Sequence, residues 1–316
     1  MTSSMQWPME FSPYRRGDVR TVELPFRVAM VQMRSAPLEP LANAVTTSAA
    51  IKRCAQEGST LVVLPELAAT GYIPDRGALE PLAESVADPG PVLSAWVEAA
   101  RTQQVAVIGG FAEREGDNLY NSAVTIDASG RIISIYRKLH LFGRERECFE
   151  PGDLGLPIAN VSGVEVGVLV CYDLRFPEAM RIMALRGAEV IAVPTAWVSG
   201  FDKRVPATGR IGQIDGVVVQ ANLNQVFVVC ADTVGVVSDL AFLGRSVAVN
   251  PFGEIIAGPL SPDQEECTIV DIDVAEVSAA RHRGLGIDPF ANRRIDVYGA
   301  ELGYQYVSPR EKKEKS

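Results

Sequence analysis

The chain has 316 residues, 47% hydrophobic and 22% charged, an ordinary globular balance that can bury a large core without disulfide or metal staples. A formal net charge of −9 and a pI near 5.0 argue against binding a phosphate backbone, which needs a basic patch, so no nucleic-acid partner is expected. No apolar run approaches the ~20 residues needed to cross a bilayer, and no membrane partner is expected either.

Residues 1–25 read as an arm preceding the fold. They contain Pro8, Pro13, Arg15 and Arg16 but no apolar leader segment, so a cytoplasmic location is expected. A short β-rich run follows at 27–33. Residues 38–56 read as a helix with Leu41, Ala44, Val45, Ile51 and Ala55 roughly on one face and Gly58 just past its end. Residues 61–64 are apolar on both faces and read as a buried strand. Pro91 opens a helix carrying Val92, Trp96 and Ala99, and 105–108 forms the next strand. Two strands, 122–127 and 131–136, flank the turn Ala128-Ser129-Gly130. A strand at 164–171 leads to a helix at 177–186, with Pro177 at its start and Gly187 beyond its end. Runs at 190–193, 226–230, 246–250 and 267–273 complete the strands.

This alternation predicts an α/β fold with sheets covered by helices. No low-complexity linker interrupts 26–282, which is read as one domain. Residues 283–316 are a C-terminal extension expected to pack on that domain or on an oligomer partner. The closing run Glu311-Lys312-Lys313-Glu314-Lys315 mixes both signs and reads as a solvated tail.

Five cysteines stand at 54, 148, 171, 230 and 267, an odd number without CxxC spacing, so neither a disulfide framework nor a zinc site is expected. Cys54, Cys148, Cys230 and Cys267 read as packing residues. His140 and His282 are too few for a metal cluster, and His140 reads as structural. No metal or other cofactor is expected, and a general base here is more naturally a carboxylate.

Three strand ends carry chemistry. The apolar run Val164 to Val170 leads into Cys171-Tyr172-Asp173-Leu174-Arg175-Phe176-Pro177-Glu178. Leu64-Pro65-Glu66 puts a carboxylate at the end of a buried strand, and Tyr136-Arg137-Lys138-Leu139-His140-Leu141-Phe142 puts an ammonium at the end of another. In open α/β folds ligands gather at such carboxyl edges. A thiol there is, on its own, as readable as a small buried hydrophobe. A thiol, a carboxylate and an amine at three strand ends point instead to a shared site.

With these three motifs the chain resembles the nitrilase, or carbon–nitrogen hydrolase, superfamily, closest to its omega-amidase and small-amide branch. The resemblance runs from about Arg27 to Gly299, with further echoes in Thr70-Gly71-Tyr72, Asn118-Leu119-Tyr120-Asn121-Ser122, Phe149-Glu150-Pro151-Gly152 and Arg293-Arg294-Ile295-Asp296-Val297-Tyr298-Gly299. It implies a four-layer α–β–β–α sandwich and assembly into homodimers or larger homo-oligomers. It also implies that Glu66 is the general base, Lys138 the oxyanion-stabilising cation and Cys171 the nucleophile, with the Tyr172 backbone N–H as a second oxyanion donor. A second glutamate follows the lysine motif. Glu145 and Glu147 compete, and the spacing to Phe149 and Pro151-Gly152 favours Glu145.

The implied activity is cysteine-dependent hydrolysis of a small primary amide through a thioester, with release of ammonia. An N-carbamoyl compound is the alternative substrate, since it presents the same carbonyl bearing a terminal NH2. A nitrile ranks below both, because Tyr172-Asp173 stands where true nitrilases have Trp-Glu. A free thiol has a pKa near ~8.5 and needs a base or cation beside it. Lys138 is expected to lower the pKa of both Cys171 and Glu66 by proximity. Tyr72, Phe142, Tyr172 and Trp197 are candidate pocket walls, each equally readable as core. Arg175 either holds a substrate carboxylate or makes a structural ion pair with Asp173 or Glu178. The stretch 198–216, with Gly200, Phe201, Lys203, Arg204, Thr208 and Arg210, is expected to carry substrate preference.

Overall fold

Strand formation starts where apolar residues occupy both faces of the chain. A computed structural model describes residues 25–200, 211–282 and 284–301. The expected arm before residue 25, Phe201, Lys203, Arg204, Thr208 and Arg210, and the tail beyond 301 lie outside the described residues. In chain order the elements are β1 (Phe26–Gln32), α1 (Pro40–Gln56), β2 (Leu61–Val63), α2 (Arg76–Leu79), α3 (Pro91–Gln103), β3 (Ala106–Glu115), β4 (Asn118–Ile126) and β5 (Ile132–Arg137). Then follow β6 (Ile158–Val161), β7 (Val164–Val168), α4 (Pro177–Leu185), β8 (Val190–Pro194), α5 (Gly212–Asn224), β9 (Phe227–Ala231), β10 (Val234–Val237), β11 (Leu240–Leu243), β12 (Val247–Val249), β13 (Ile255–Ala257), β14 (Glu266–Ile272), α6 (Ala275–Arg281) and α7 (Ile295–Glu301).

Two six-stranded sheets form, ordered β14-β1-β2-β3-β4-β5 and β13-β12-β9-β8-β7-β6. Each has parallel strands at its centre, β1-β2-β3 in one and β7-β8-β9 in the other, with antiparallel neighbours outside. The pleat sends alternate side chains to opposite faces. Ala29, Val31, Val62 and Val107 meet Ile51 of α1 and Leu93 and Trp96 of α3. Val28, Met30, Leu61 and Val63, equally buried, have the other parity and face the second sheet, whose β8 and β9 lie against β1, β2 and β3. Helices α4 and α5 pack together and α5 lies on β9 and β12. The layers therefore run helix, sheet, sheet, helix, as expected.

Helix starts follow their local chemistry. Pro40, Pro91 and Pro177 each occupy a first-turn position, where the missing N–H costs nothing. The buried Glu84 carboxylate accepts the Val92 and Leu93 amides at 2.8 Å each, satisfying two orphan donors of α3. The Trp96 indole donates to Thr47 Oγ1 at 2.7 Å and ties α3 to α1.

Two expectations are corrected here. Cys54 of α1 and Cys267 of β14 are not mere packing residues: they form a disulfide, between residues 213 apart in sequence that only the folded sheet brings together. The strand leading to Cys171 ends at Val168, and Cys171 instead opens a single 3₁₀ turn, Cys171–Arg175. The chain divides into two compact units, Met1–Val277 and Ser278–Ser316. In the second, Arg281 stacks on the Phe290 ring at 4.9 Å and Arg294 pairs with Asp296 at 2.6 Å.

Candidate active site

Glu66 leaves β2 on a loop that crosses closely over β3. Gly110 of β3 donates to Pro65 O at 3.1 Å, and a Cβ at Gly110 would sit 2.5 Å from Leu67 N and 2.7 Å from Glu66 Cα, so only glycine lets the loop lie down here. The Glu66 amide donates to Thr195 O at the end of β8. Glu66 therefore sits where the two sheets meet, 1% exposed.

Lys138 follows β5, also 1% exposed. Its backbone N–H donates to Asn121 O at 2.8 Å and its carbonyl accepts from Gly152 at 2.9 Å. Its ammonium donates to Glu66 Oε1 at 2.6 Å and to Glu145 Oε1 at 2.8 Å. Glu145 lies in a 3₁₀ turn, Gly143–Glu147, with Oε2 accepting the Phe142 amide at 3.0 Å and Oε1 accepting the Tyr72 hydroxyl at 2.6 Å. Glu147 is exposed and pairs with Arg144 at 3.7 Å. Of the two competing glutamates, only Glu145 meets the lysine.

Glu66 Oε1 is taken twice, by Lys138 and by Asn121 Nδ2 at 2.7 Å. Its other oxygen, Oε2, is buried without a hydrogen-bond partner. Cys171 holds a left-handed backbone with φ +46°, a costly conformation for a residue with a Cβ and one that throws its side chain out of the strand-to-turn corner. The residue is half-buried, and burial dominates the electrostatics of its sulfur.

The electrostatics follow from burial. Burial raises the Glu66 carboxyl to about 7 against the pull of Lys138, with Glu145 adding to the rise. Burial also pushes the Cys171 thiol well above its ordinary range, and nearby Glu66 adds to this, while Lys138 and a backbone hydrogen bond from Ala196 oppose it. Burial alone would lower Lys138, but Glu145 and Glu66 outweigh it and hold the ammonium above its usual value. Lys138 pulls both groups down, as expected, but desolvation outweighs it in each case.

The remaining sequence candidates separate. Phe142, Tyr172, Arg175 and Trp197 line a pocket of about 450 Å³, including its open mouth, with Cys171 in its wall. Tyr72 is not among its walls; it packs edge-on against Phe242 and holds Glu145. Asp173 accepts from Tyr136 at 2.7 Å, from the Val170 amide and from the His140 amide, and meets His140 Nδ1 at 2.7 Å. His140 stacks on Phe176, ring centroids 3.5 Å apart.

Sequence reasoning left out three residues that shape the site. Asn121 touches both Glu66 and Lys138, and its place in an Asn-Leu-Tyr-Asn-Ser echo was the only signal. Asp232 accepts Thr195 Oγ1 at 2.8 Å and the Trp197 amide at 2.9 Å, fixing the loop that brings Ala196 to the sulfur. Gln213 of α5 lines the pocket. Neither of the last two carried a sequence signal. Among the described residues no cluster of three or more His, Cys, Asp or Glu is arranged to hold a metal ion, and no helix is long and apolar enough to cross a membrane.

A family model described as carbon-nitrogen hydrolase matches residues 27–282. A protein named nitrilase from Pyrococcus abyssi is 37% identical over 273 residues, covering 86% of this chain and 98% of that one. An (R)-stereoselective amidase of a Pseudomonas species is 33% identical over 279 residues, covering 87% and 94%. N-carbamoylputrescine amidase of Solanum lycopersicum is 30% identical over 286 residues, covering 84% and 92%. The crystal structure of an amidase from Nesterenkonia sp. superposes with a TM-score of 0.69 at 27% identity, covering 89% of this chain and 96% of that chain.

Proposed function

This chain belongs to the carbon–nitrogen hydrolase family, and from that premise we propose that it hydrolyses small primary amides through a thioester on Cys171. The observation that carries the reading is Lys138 held between Glu66 and Glu145 while the second oxygen of Glu66 stays unpaired and the Glu66 charge acts on the nearby thiol.

The raised thiol and raised carboxylate suit a proton transfer coupled to attack rather than a resting thiolate. Glu66 Oε2 takes the proton from Sγ as sulfur bonds to the amide carbon. The carbonyl π electrons move to oxygen, and the oxyanion is met by Lys138 and the Tyr172 backbone N–H. Lys138 has three N–H donors and spends two on the glutamates, which leaves the third for the oxyanion. Glu66 returns the proton to nitrogen, the C–N bond breaks, and ammonia leaves. Water then attacks the thioester, giving its proton to Glu66, and the C–S bond breaks to release the acid and restore the thiol. Glu145 keeps the ammonium charged and in place.

A second reading, hydrolysis of an N-carbamoyl compound, is favoured by the similarity to N-carbamoylputrescine amidase. Its reaction would also release carbon dioxide, which separates the two. The test is ammonia release from a panel of primary amides and carbamoyl compounds, with trapping of a thioester adduct by mass spectrometry. Cys171→Ala should fall below about 10⁻³ of wild-type rate; release that survives it overturns the nucleophile assignment.

Assembly into a homodimer or larger homo-oligomer is part of the same proposal. Ile182 on α4 and Val219 and Leu223 on α5 leave apolar side chains exposed, and a second copy would cover them. A monomeric mass in solution by light scattering counts against it.

A further inference from the structure

Past the sulfur of Cys171, the pocket is walled by Phe142, Tyr172, Leu174, Trp197 and Val198. Tyr172 is wedged edge-on between Phe142 and Phe176, ring centroids 5.2 and 5.3 Å away, and Leu174 is pinned through its carbonyl by Gln220 at 3.3 Å. These walls are apolar and braced. Among the described walls the one charged side chain is Arg175, which is exposed and already engaged. Desolvating a substrate charge against such walls without a partner is unfavourable.

Among the described walls a buried amide also interrupts them. Gln213 of α5 is 8% exposed, and its Oε1 is buried with no hydrogen-bond partner. Buried amide oxygens are almost always paired, and an orphan on a residue that lines a ligand pocket can take its partner from the ligand. Resting on the reading of Cys171 as nucleophile, we propose that this site selects carboxamides with an uncharged, apolar acyl chain bearing one N–H or O–H donor, received by Gln213 Oε1. A carboxylate-bearing ω-amide or a cationic carbamoyl amine fits these walls poorly.

The experiment compares kcat/KM for ammonia release from phenylpropionamide, phenyllactamide, succinamate and γ-aminobutyramide. Wild type, Gln213→Met, Gln213→Glu and Cys171→Ala are each assayed. Wild type should prefer phenyllactamide over phenylpropionamide by about tenfold or more, and both over the two charged amides. Gln213→Met, close in size, should bring the hydroxyl preference near one, while Gln213→Glu should raise γ-aminobutyramide relative to the neutral pair. A hydroxyl preference unchanged in both Gln213 variants, or a charged amide turned over best by wild type, overturns this inference alone. Release from none of the four overturns this inference alone, whereas release that survives Cys171→Ala overturns the nucleophile reading and this inference with it.

Discussion

At the scale of single residues, the two carboxylates beside Lys138 do different work although both are 1% exposed. Every oxygen of Glu145 is occupied, by Lys138, Tyr72 and the Phe142 amide, whereas Glu66 keeps one oxygen open. Glu145→Gln removes a charge from the ammonium's surroundings and should cut kcat by about 10²-fold. Glu147→Gln, on an exposed side chain, should leave it within about twofold. Steady-state rates at saturating amide check the order, and the reverse order would give the site role to Glu147. The open oxygen also sets a pH dependence. Glu66 acts as a base only when ionised, and burial holds it at about 7, so kcat/KM should rise with pH through about 7. A rate already flat between pH 5 and 8 would remove Glu66 from that role. These residues were legible because each sits beside apolar runs as a charge or thiol without a surface pattern. Tyr72 was assigned to a pocket wall because nothing in its neighbours betrays that its hydroxyl turns to Glu145.

At the scale of elements, legibility follows periodicity. The strands β1, β2, β8 and β9 are continuous apolar runs, and α1, α3 and α4 are marked by a proline at the start. Helix α5 escaped. Its Val217-Val218-Val219 run reads like a strand, its polar Gln213, Gln220 and Asn224 are buried, and its Val219 and Leu223 are exposed, so apolar residues mark no single face. Because α5 carries Gln213, the same blur hid an orphaned polar group among the described walls of the pocket. The N-terminus of α3 offers a test of element-level chemistry. Both oxygens of Glu84 cap it, so Glu84→Ala strips partners from the Val92 and Leu93 amides and should cost about 1–2 kcal/mol. Denaturant unfolding measures this, and a midpoint unchanged from wild type would show that water replaces the cap at no cost.

At the scale of the whole molecule, the proposed site sits at the seam between two sheets. Glu66 and Lys138 come from the first sheet, Cys171 follows the second, and the Glu66 amide is bonded to Thr195 across the seam. The layering was legible from alternation, but the disulfide was not: Cys54 and Cys267 approach only once β14 pairs with β1 and α1 packs nearby. The seam also taxes stability in a pH-dependent way. Glu66 binds its proton more tightly folded than unfolded, from about 7 against an ordinary 4.5. Between those values the folded state holds more protons, so stability falls as pH rises through this window. Melting temperature should therefore drop from pH 5 to pH 8, and drop less in Glu66→Gln. An equal drop in both proteins would trace the effect to other groups.

Asn121 reaches Glu66 with its side-chain amide and Lys138 with its carbonyl. The carboxyl of Glu66 and the backbone of Lys138 thus hang from a single residue, like two instruments bolted to one bracket. A displacement of β4 would therefore carry the carboxyl and the lysine backbone together.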